Sequence, residues 1–264
     1  MARTAARTGR TRRTKRARAV AVTGVVAVLV ATAAACGDDA ADDKHPDHRA
    51  FALHGRTLTV DSDNSALEIV PANVDKVEVT RWFRGTVLVG DDPRVTWAMQ
   101  DDRLVLRVKC SGVVARCSAR HRIEVPRGVA VKVDERNGSV RAQGVKEALS
   151  IRTRNGSVGV TDSTGPLTLD SHNGPIRATG VSSRRVHVET RNGPVHLELA
   201  VVPDQVEASS RNGSVSIALP QGSYHVTTDT HNGSTHVSVP QDPKSSHVID
   251  TLTRNGSVTV RTAG

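Results

Sequence analysis

Seven times in the second half of the chain a basic residue stands directly before Asn-Gly: Arg136, Arg154, His172, Arg191, Arg211, His231 and Arg254. Three residues before each asparagine come Asp134, Arg152, Asp170, Glu189, Ser209, Asp229 and Leu252. If each repeat is one structural unit, like charges stack ~4.8 Å apart, which costs about 1 kcal/mol per neighbouring pair in water. The column therefore wants acid beside it. The four acids can supply it as a surface ion-pair net of small individual worth. The alternative is a basic stripe for an anionic polymer such as wall teichoic acid or an acidic glycan.

The three cysteines are Cys36, Cys110 and Cys117. In an oxidising compartment Cys110 and Cys117 are expected to pair; a sharper alternative adds His121 as a C-x6-C-x3-H metal site, a spacing that fits no structural zinc pattern well. Eleven histidines invite other metal readings. Counting coils in chain order puts His172 and His231 three apart and His196 and His236 two apart, outside ligand reach. His45, Asp47 and His48 fall in a polar stretch. Neither a G-x-S-x-G elbow, nor H-E-x-x-H, nor a phosphate loop occurs. No catalytic residue, metal or cofactor is assigned. Of five aromatics four lie at 51–97, densest at Arg81-Trp82-Phe83-Arg84. That cluster is read as an N-terminal cap closing a sheet edge, with a partner-binding patch as the alternative.

The elements that position these residues announce themselves by repetition. The asparagines Asn137, Asn155, Asn173, Asn192, Asn212, Asn232 and Asn255 are spaced 18, 18, 19, 20, 20 and 23 residues apart. On both flanks apolar residues alternate with period two, as in Val131/Val133 before and Val140/Ala142 after the first, which is the strand signature. Each repeat is then two short strands with Asn-Gly at one corner. Asn-Gly also suits a tight hairpin, but Pro175 and Pro194 follow the glycine where such a turn needs an N–H. A hairpin would also oppose polar and apolar residues. The expected fold is all-β, a parallel β-solenoid (β-helix-like) with two short strands per coil of about 18–20 residues. Asn is expected at the corner for its tolerance of the left-handed conformation and for hydrogen bonding along the stack.

The net charge of +9 sits in residues 1–35, which hold eight basic residues and no acid, leaving about +1 elsewhere. That argues against nucleic acid as a partner. The basic opening, the apolar run Ala19–Ala35 and Ala33-Ala34-Ala35-Cys36 read as an export signal. The small residues before Cys36 resemble a bacterial lipobox, although Ala33 stands where leucine is usual. The resemblance implies lipid attachment at Cys36 and a place on the outer face of the cell membrane; plain secretion is the alternative. Residues 36–50 read as an acidic tether, 51–125 as irregular coils and cap carrying the disulfide, and 126–264 as the regular repeats. The last coil is expected to end bare at Thr262-Ala263-Gly264, open to end-to-end association.

Arg122-Ile123-Glu124-Val125-Pro126-Arg127-Gly128-Val129 followed by the Asn-Gly-Ser-Val columns resembles the bacterial "putative adhesin" family, over roughly residues 51–264. The resemblance implies a surface β-solenoid without defined catalytic residues. The expected function is a non-enzymatic cell-surface lipoprotein for adhesion or envelope interaction, its partner a cell-wall polymer or another envelope protein. A partner-binding module in envelope stress signalling is the first alternative. A carbohydrate-active β-helix enzyme is the second; it would need clustered carboxylates and an aromatic sugar platform, whereas the repeats hold only Tyr224.

Overall fold

In the computed structural model the described residues are Ala40, 43–113 and 115–263. Residues 1–35, expected as an export signal, and Cys36, expected as the lipid site, lie outside them. The regular coils are strand pairs in chain order: β8 (Ala130–Asn137) with β9 (Val140–Gln143), β10 (Leu149–Asn155) with β11 (Val158–Thr161), and β12 (Leu167–Asn173) with β13 (Ile176–Val181). Next come β14 (Arg185–Asn192) with β15 (Val195–Leu199), and β16 (Gln205–Asn212) with β17 (Val215–Leu219). The last two are β18 (His225–Asn232) with β19 (Thr235–Val237), and β20 (Val248–Asn255) with β21 (Val258–Thr262). First strands stack in parallel into one sheet and second strands into another, each residue facing its own repeat equivalent, as Ile151 faces Leu169 and Val158 faces Ile176. The fold is an all-β parallel solenoid.

The period-two pattern becomes the core. Val131, Val133, Ile151, Leu169, Val188 and Val206 point inward from one sheet and meet Val140, Val158, Ile176, Leu197 and Ile217 from the other, all buried. With two sheets so close, branched aliphatics fill the gap and no large ring is needed. The two most buried rings, Phe51 and Tyr224, sit toward the two ends of the stack.

Hydrogen bonding at the corner explains the Asn-Gly-Ser/Pro sequence. The amide of each asparagine donates to the next, from Asn155 to Asn137 at 2.8 Å through to Asn255 to Asn212 at 2.7 Å, and Asn64 joins the ladder at 3.0 Å. The residue after glycine uses only its carbonyl: Pro175 accepts from Val158 N and Pro194 from Ile176 N, both at 3.0 Å. Proline therefore costs nothing there. The expectation that asparagine takes the left-handed conformation needs correcting. Glycine carries the unusual backbone, with φ of 146° at Gly174 and 149° at Gly193, while positive φ outside glycine falls on Asp101, Asp102 and Asp162.

Chain order and stacking order part company at both ends. β20 lies between β16 and β18, and β21 between β17 and β19. The final coil is thus inserted, not bare; the coil of β18 and β19 ends the stack. At the other end β2 (Thr57–Ser62) and β3 (Ala66–Ala72) form a coil slipped between β8–β9 and the coil of β6 (Arg103–Lys109) and β7 (Ala115–Pro126). Three antiparallel strands close this end: β1 (Asp47–Phe51) on β4 (Val77–Val87), β4 on β7, and β5 (Arg94–Gln100) on β6. The stretch 36–50, expected as a solvated tether, is therefore partly built into the fold. Asp47–Phe51 is a strand, and Ala40 is buried with its N–H on Ser118 Oγ at 3.3 Å.

Cys110 and Cys117 form a disulfide where β6 turns into β7. Reducing it, or replacing both cysteines with serine, is expected to lower stability by about 2–3 kcal/mol, read as an earlier urea midpoint. An unchanged midpoint would show that the loop is held by its other contacts.

Candidate functional site

The outer face of the ten-stranded sheet collects the chemistry. Because the asparagines are in register, the residue one before each forms a column: Arg136, Arg154, His172, Arg191, Arg211, Arg254 and His231 in spatial order. All seven are exposed. The parallel column three before each asparagine runs Asp61, Asp134, Arg152, Asp170, Glu189, Ser209, Leu252 and Asp229.

The acids are concentrated toward the N-terminal end. Arg136 pairs with Asp63 at 3.3 Å, and Arg107 pairs with Asp63 at 3.3 Å and Asp61 at 3.0 Å. Arg103 pairs with Asp61 at 2.5 Å. Burial pushes the Asp61 carboxyl up, but the hydrogen bonds from Arg107 and Arg103 outweigh it and hold it below the usual value. Arg152 reaches Asp170 at 3.4 Å. Among the described residues Arg154, Arg191, Arg211 and Arg254 form no ion pair. The expected net thus exists over one half of the face only.

The inserted coil creates the other half. Arg191, Arg211 and Arg254 occupy neighbouring strands β14, β16 and β20, and beside the last two stand Ser209 and Leu252 in the acid column. Leu252 is 52% exposed. A shallow depression brings together Arg191, Ser209, Arg211, Leu252 and Arg254, with Glu189, Asp229 and His231 also in its lining. Chain order hid this: Arg211 and Arg254 are 43 residues apart with His231 between them.

Asp170, His187 and Glu189 place one ligand atom each within 4.8 Å of one another, a set that could hold a metal ion. The histidine columns did not reveal it because its members lie on two columns. His187 Nδ1 is 2.9 Å from Glu207 and Asp170 is engaged by Arg152 at 3.4 Å, so two of the three already have partners. His196 and His236 are three strands apart along β15, β17, β21 and β19, not two, and His172 and His231 four apart, because the last coil intervenes.

His121 is not near a metal position. It is fully buried against the Trp97 ring, 6.4 Å between centroids, and both cysteine sulfurs are in the disulfide. Arg81, Trp82, Phe83 and Arg84 are half-buried on β4. Arg81 binds Asp47 at 2.6 Å and lies over the Trp97 ring at 4.2 Å, while Arg120 lies over Trp82 at 5.2 Å. Phe83 N donates to Asp43 at 3.3 Å. These contacts join the cluster to the strands that close the stack.

The comparisons agree with this architecture. Residues 127–263 match the family described as Toastrack DUF4097. The solved structure of a putative adhesin from Bacteroides fragilis NCTC 9343 is similar at 15% identity and a TM-score of 0.52, over 84% of this chain and 98% of that one. A putative adhesin from Parabacteroides merdae ATCC 43184 aligns at 11% identity and a TM-score of 0.45, over 84% of this chain and 97% of that one. No curated protein matches the sequence.

Proposed function

The chain belongs to the Toastrack DUF4097 family, and from that premise we propose that it is a non-enzymatic, exported surface module. A lipid on Cys36 holds it at the outer face of the cell membrane, and its ten-stranded sheet makes contact with anionic polymer of the envelope. The observation that carries the reading is the run Arg191, Arg211 and Arg254, three exposed guanidinium groups one coil apart with no internal counter-ion among the described residues. Glu189 and Asp229 bound the run at its two ends, and Asp250 stands on the same strand as Arg254. A polyanion lying along the stack relieves the mutual repulsion and accepts forked hydrogen bonds that guanidinium groups donate well. The exposed Leu252 in the same depression favours an acidic glycan, whose sugar rings offer C–H faces beside their charges.

Retention of residues 36–264 on isolated cell walls, and on polygalacturonate as a defined acidic glycan, tests this. Retention should fall steeply as salt rises. Arg211→Gln and Arg254→Gln should each weaken it about tenfold, and Leu252→Asp comparably, by supplying the missing acid. Arg136→Gln, whose parent is already paired to Asp63, should change it less than about twofold. Salt-independent retention, or equal loss at Arg136 and Arg211, sinks the reading.

A further inference from the structure

Among the described residues, three of the five exposed large hydrophobic residues gather at one point: Leu88 at 71%, Val89 at 63% and Val113 at 82% exposure. They lie where β4 and β7 run out beyond the body of the stack. Single exposed aliphatics need no explanation, but three at one tip do. The tip is also held in shape. Val113 N donates to Val89 O at 2.8 Å, Gly90 bridges Gly112, and the Cys110–Cys117 disulfide closes the same loop. Gly112 packs so tightly that a Cβ would stand 2.5 Å from Val89 O. A rigid presentation of exposed aliphatics is what an apolar surface in contact with them requires.

The chain itself indicates which surface. Ala40 is fixed on Ser118 of β7, and Ser118 pairs with Arg84 on β4, only four residues before Leu88. Cys36 precedes Ala40 by four residues, a reach of at most about 14 Å. Whatever is attached at Cys36 is therefore tethered within about 14 Å of Ala40, on the strand pair that carries the tip. Exposed Arg94 and Lys109 face each other across β5 and β6, exposed Arg116 pairs with Thr86 just before Leu88, and Asp91 and Asp92 follow Val89 in the turn. Basic side chains at that depth reach lipid headgroups while the aliphatics enter below them.

We infer that Leu88, Val89 and Val113 form a membrane-contact tip that inserts into the lipid interface beside the anchor. The inference rests on the proposed lipid at Cys36 as to place, and it adds a function: orientation. An acyl anchor is a single point of attachment and by itself does not set the direction of the coils. A second contact fixes the coils relative to the bilayer.

The test needs no cellular lipidation. With Cys110 and Cys117 in the disulfide, Cys36 is the one free thiol, and residues 36–264 form one compact unit. That chain is coupled through Cys36 to maleimide-bearing phospholipid in vesicles containing brominated acyl chains. Leu88→Trp should lose about half of its added emission to bromine quenching, whereas Leu252→Trp, exposed near the far end of the stack, should keep nearly all of it. Val113→Asp in the Leu88→Trp background should abolish the quenching while the thermal melt stays unchanged. Equal emission from the two tryptophans overturns the inference. The anchor is judged separately: if mass spectrometry of the protein recovered from cells finds Cys36 without an acyl modification, the lipid reading fails whatever the vesicles show.

Discussion

Gly174→Ala is expected to remove most of the stability of the solenoid. A Cβ built on Gly174 stands 2.1 Å from the carbonyl oxygen of Gly156, one coil away, and its φ of +146° lies where side chains are rarely accommodated. The clash is with backbone, which cannot swing aside as a flexible side chain can. Nor can the coils separate to admit it, because Gly156 N donates to Asn173 O at 2.9 Å and Gly174 N to Asn192 O at 2.8 Å. We expect a loss of about 4 kcal/mol or more, against total stabilities of ~5–15 kcal/mol for a domain. Two other glycines separate the causes. Gly144 also has positive φ, +70°, but nothing within 4 Å of the added atom, so Gly144→Ala should cost only about 1 kcal/mol. Gly159 lies on a strand with its nearest neighbour at 3.8 Å, and Gly159→Ala should be neutral or slightly stabilising. Urea unfolding of the three variants should rank them in that order. Equal effects at Gly174 and Gly144 would mean that coil-to-coil contact is not what selects glycine at the corner.

The corner was legible because each of its columns repeats one chemical requirement. Parallel stacking puts like on like, so uniformity down a column is itself evidence of stacking, and Pro175 and Pro194 excluded the competing hairpin. The insertion of β20 and β21 was not legible by the same logic, since column identity says which positions stack but not in what order. A weaker signal existed. The coil of β18 and β19 carries Thr235 at an inward position where the other regular coils place Val or Ile, and its inward residues are only half-buried or exposed. Terminal coils of a solenoid tolerate polar inward residues because nothing covers them, so Thr235 marked an end before the structure placed it there. The spacing of 23 between Asn232 and Asn255 is the length needed to step back over a coil.

The cap was legible only as composition. Trp82, Trp97, Phe51 and Phe83 stood out as a group, but antiparallel pairs such as β4 with β7 leave no repeat to count. Inside the corner, Glu135 occupies the inward column otherwise held by Thr153, Ser171, Thr190 and Ser210. The alternation placed it inward, yet nothing in its residue type marked it as buried. Later members of the column donate to glycine carbonyls of the neighbouring coil, as Ser210 does to Gly193 O at 3.0 Å. Glu135 instead accepts from Asn137 N at 3.1 Å and Ser65 N at 3.5 Å, and burial, only partly offset by such bonds, holds its carboxyl above the usual value.

Between pH 6.5 and 4 the N-terminal cap should weaken because of His121. Its ring is fully buried, neither nitrogen has a hydrogen-bond partner, and burial with the nearby Arg81 lowers its pKa from 6.5 to about 4. Arg81 lies across from it on β4 and Leu67 on β3, with the Trp97 ring of β5 packed against it. The depressed value means that the unfolded chain takes up a proton first. Stability from this group is complete above 6.5 and drains away as pH falls toward 4, by roughly 3 kcal/mol for a shift of that size. His196 is shifted in the same direction but is half exposed. Asp43, Asp61 and Asp102 are held below 3.8 and so weaken the fold only at lower pH. Glu135 acts with opposite sign: raised above 4.5, it favours the fold at low pH and loses that contribution as pH rises. His121→Leu should therefore flatten the fall in melting temperature between pH 6.5 and 4, whereas Glu135→Gln should steepen it. A leucine variant that declines as sharply as the parent would move the acid sensitivity elsewhere. If the cap opens first, the edges of β6 and β7 become available for pairing, so in the parent chain acid should bring association before complete unfolding, and in His121→Leu it should not.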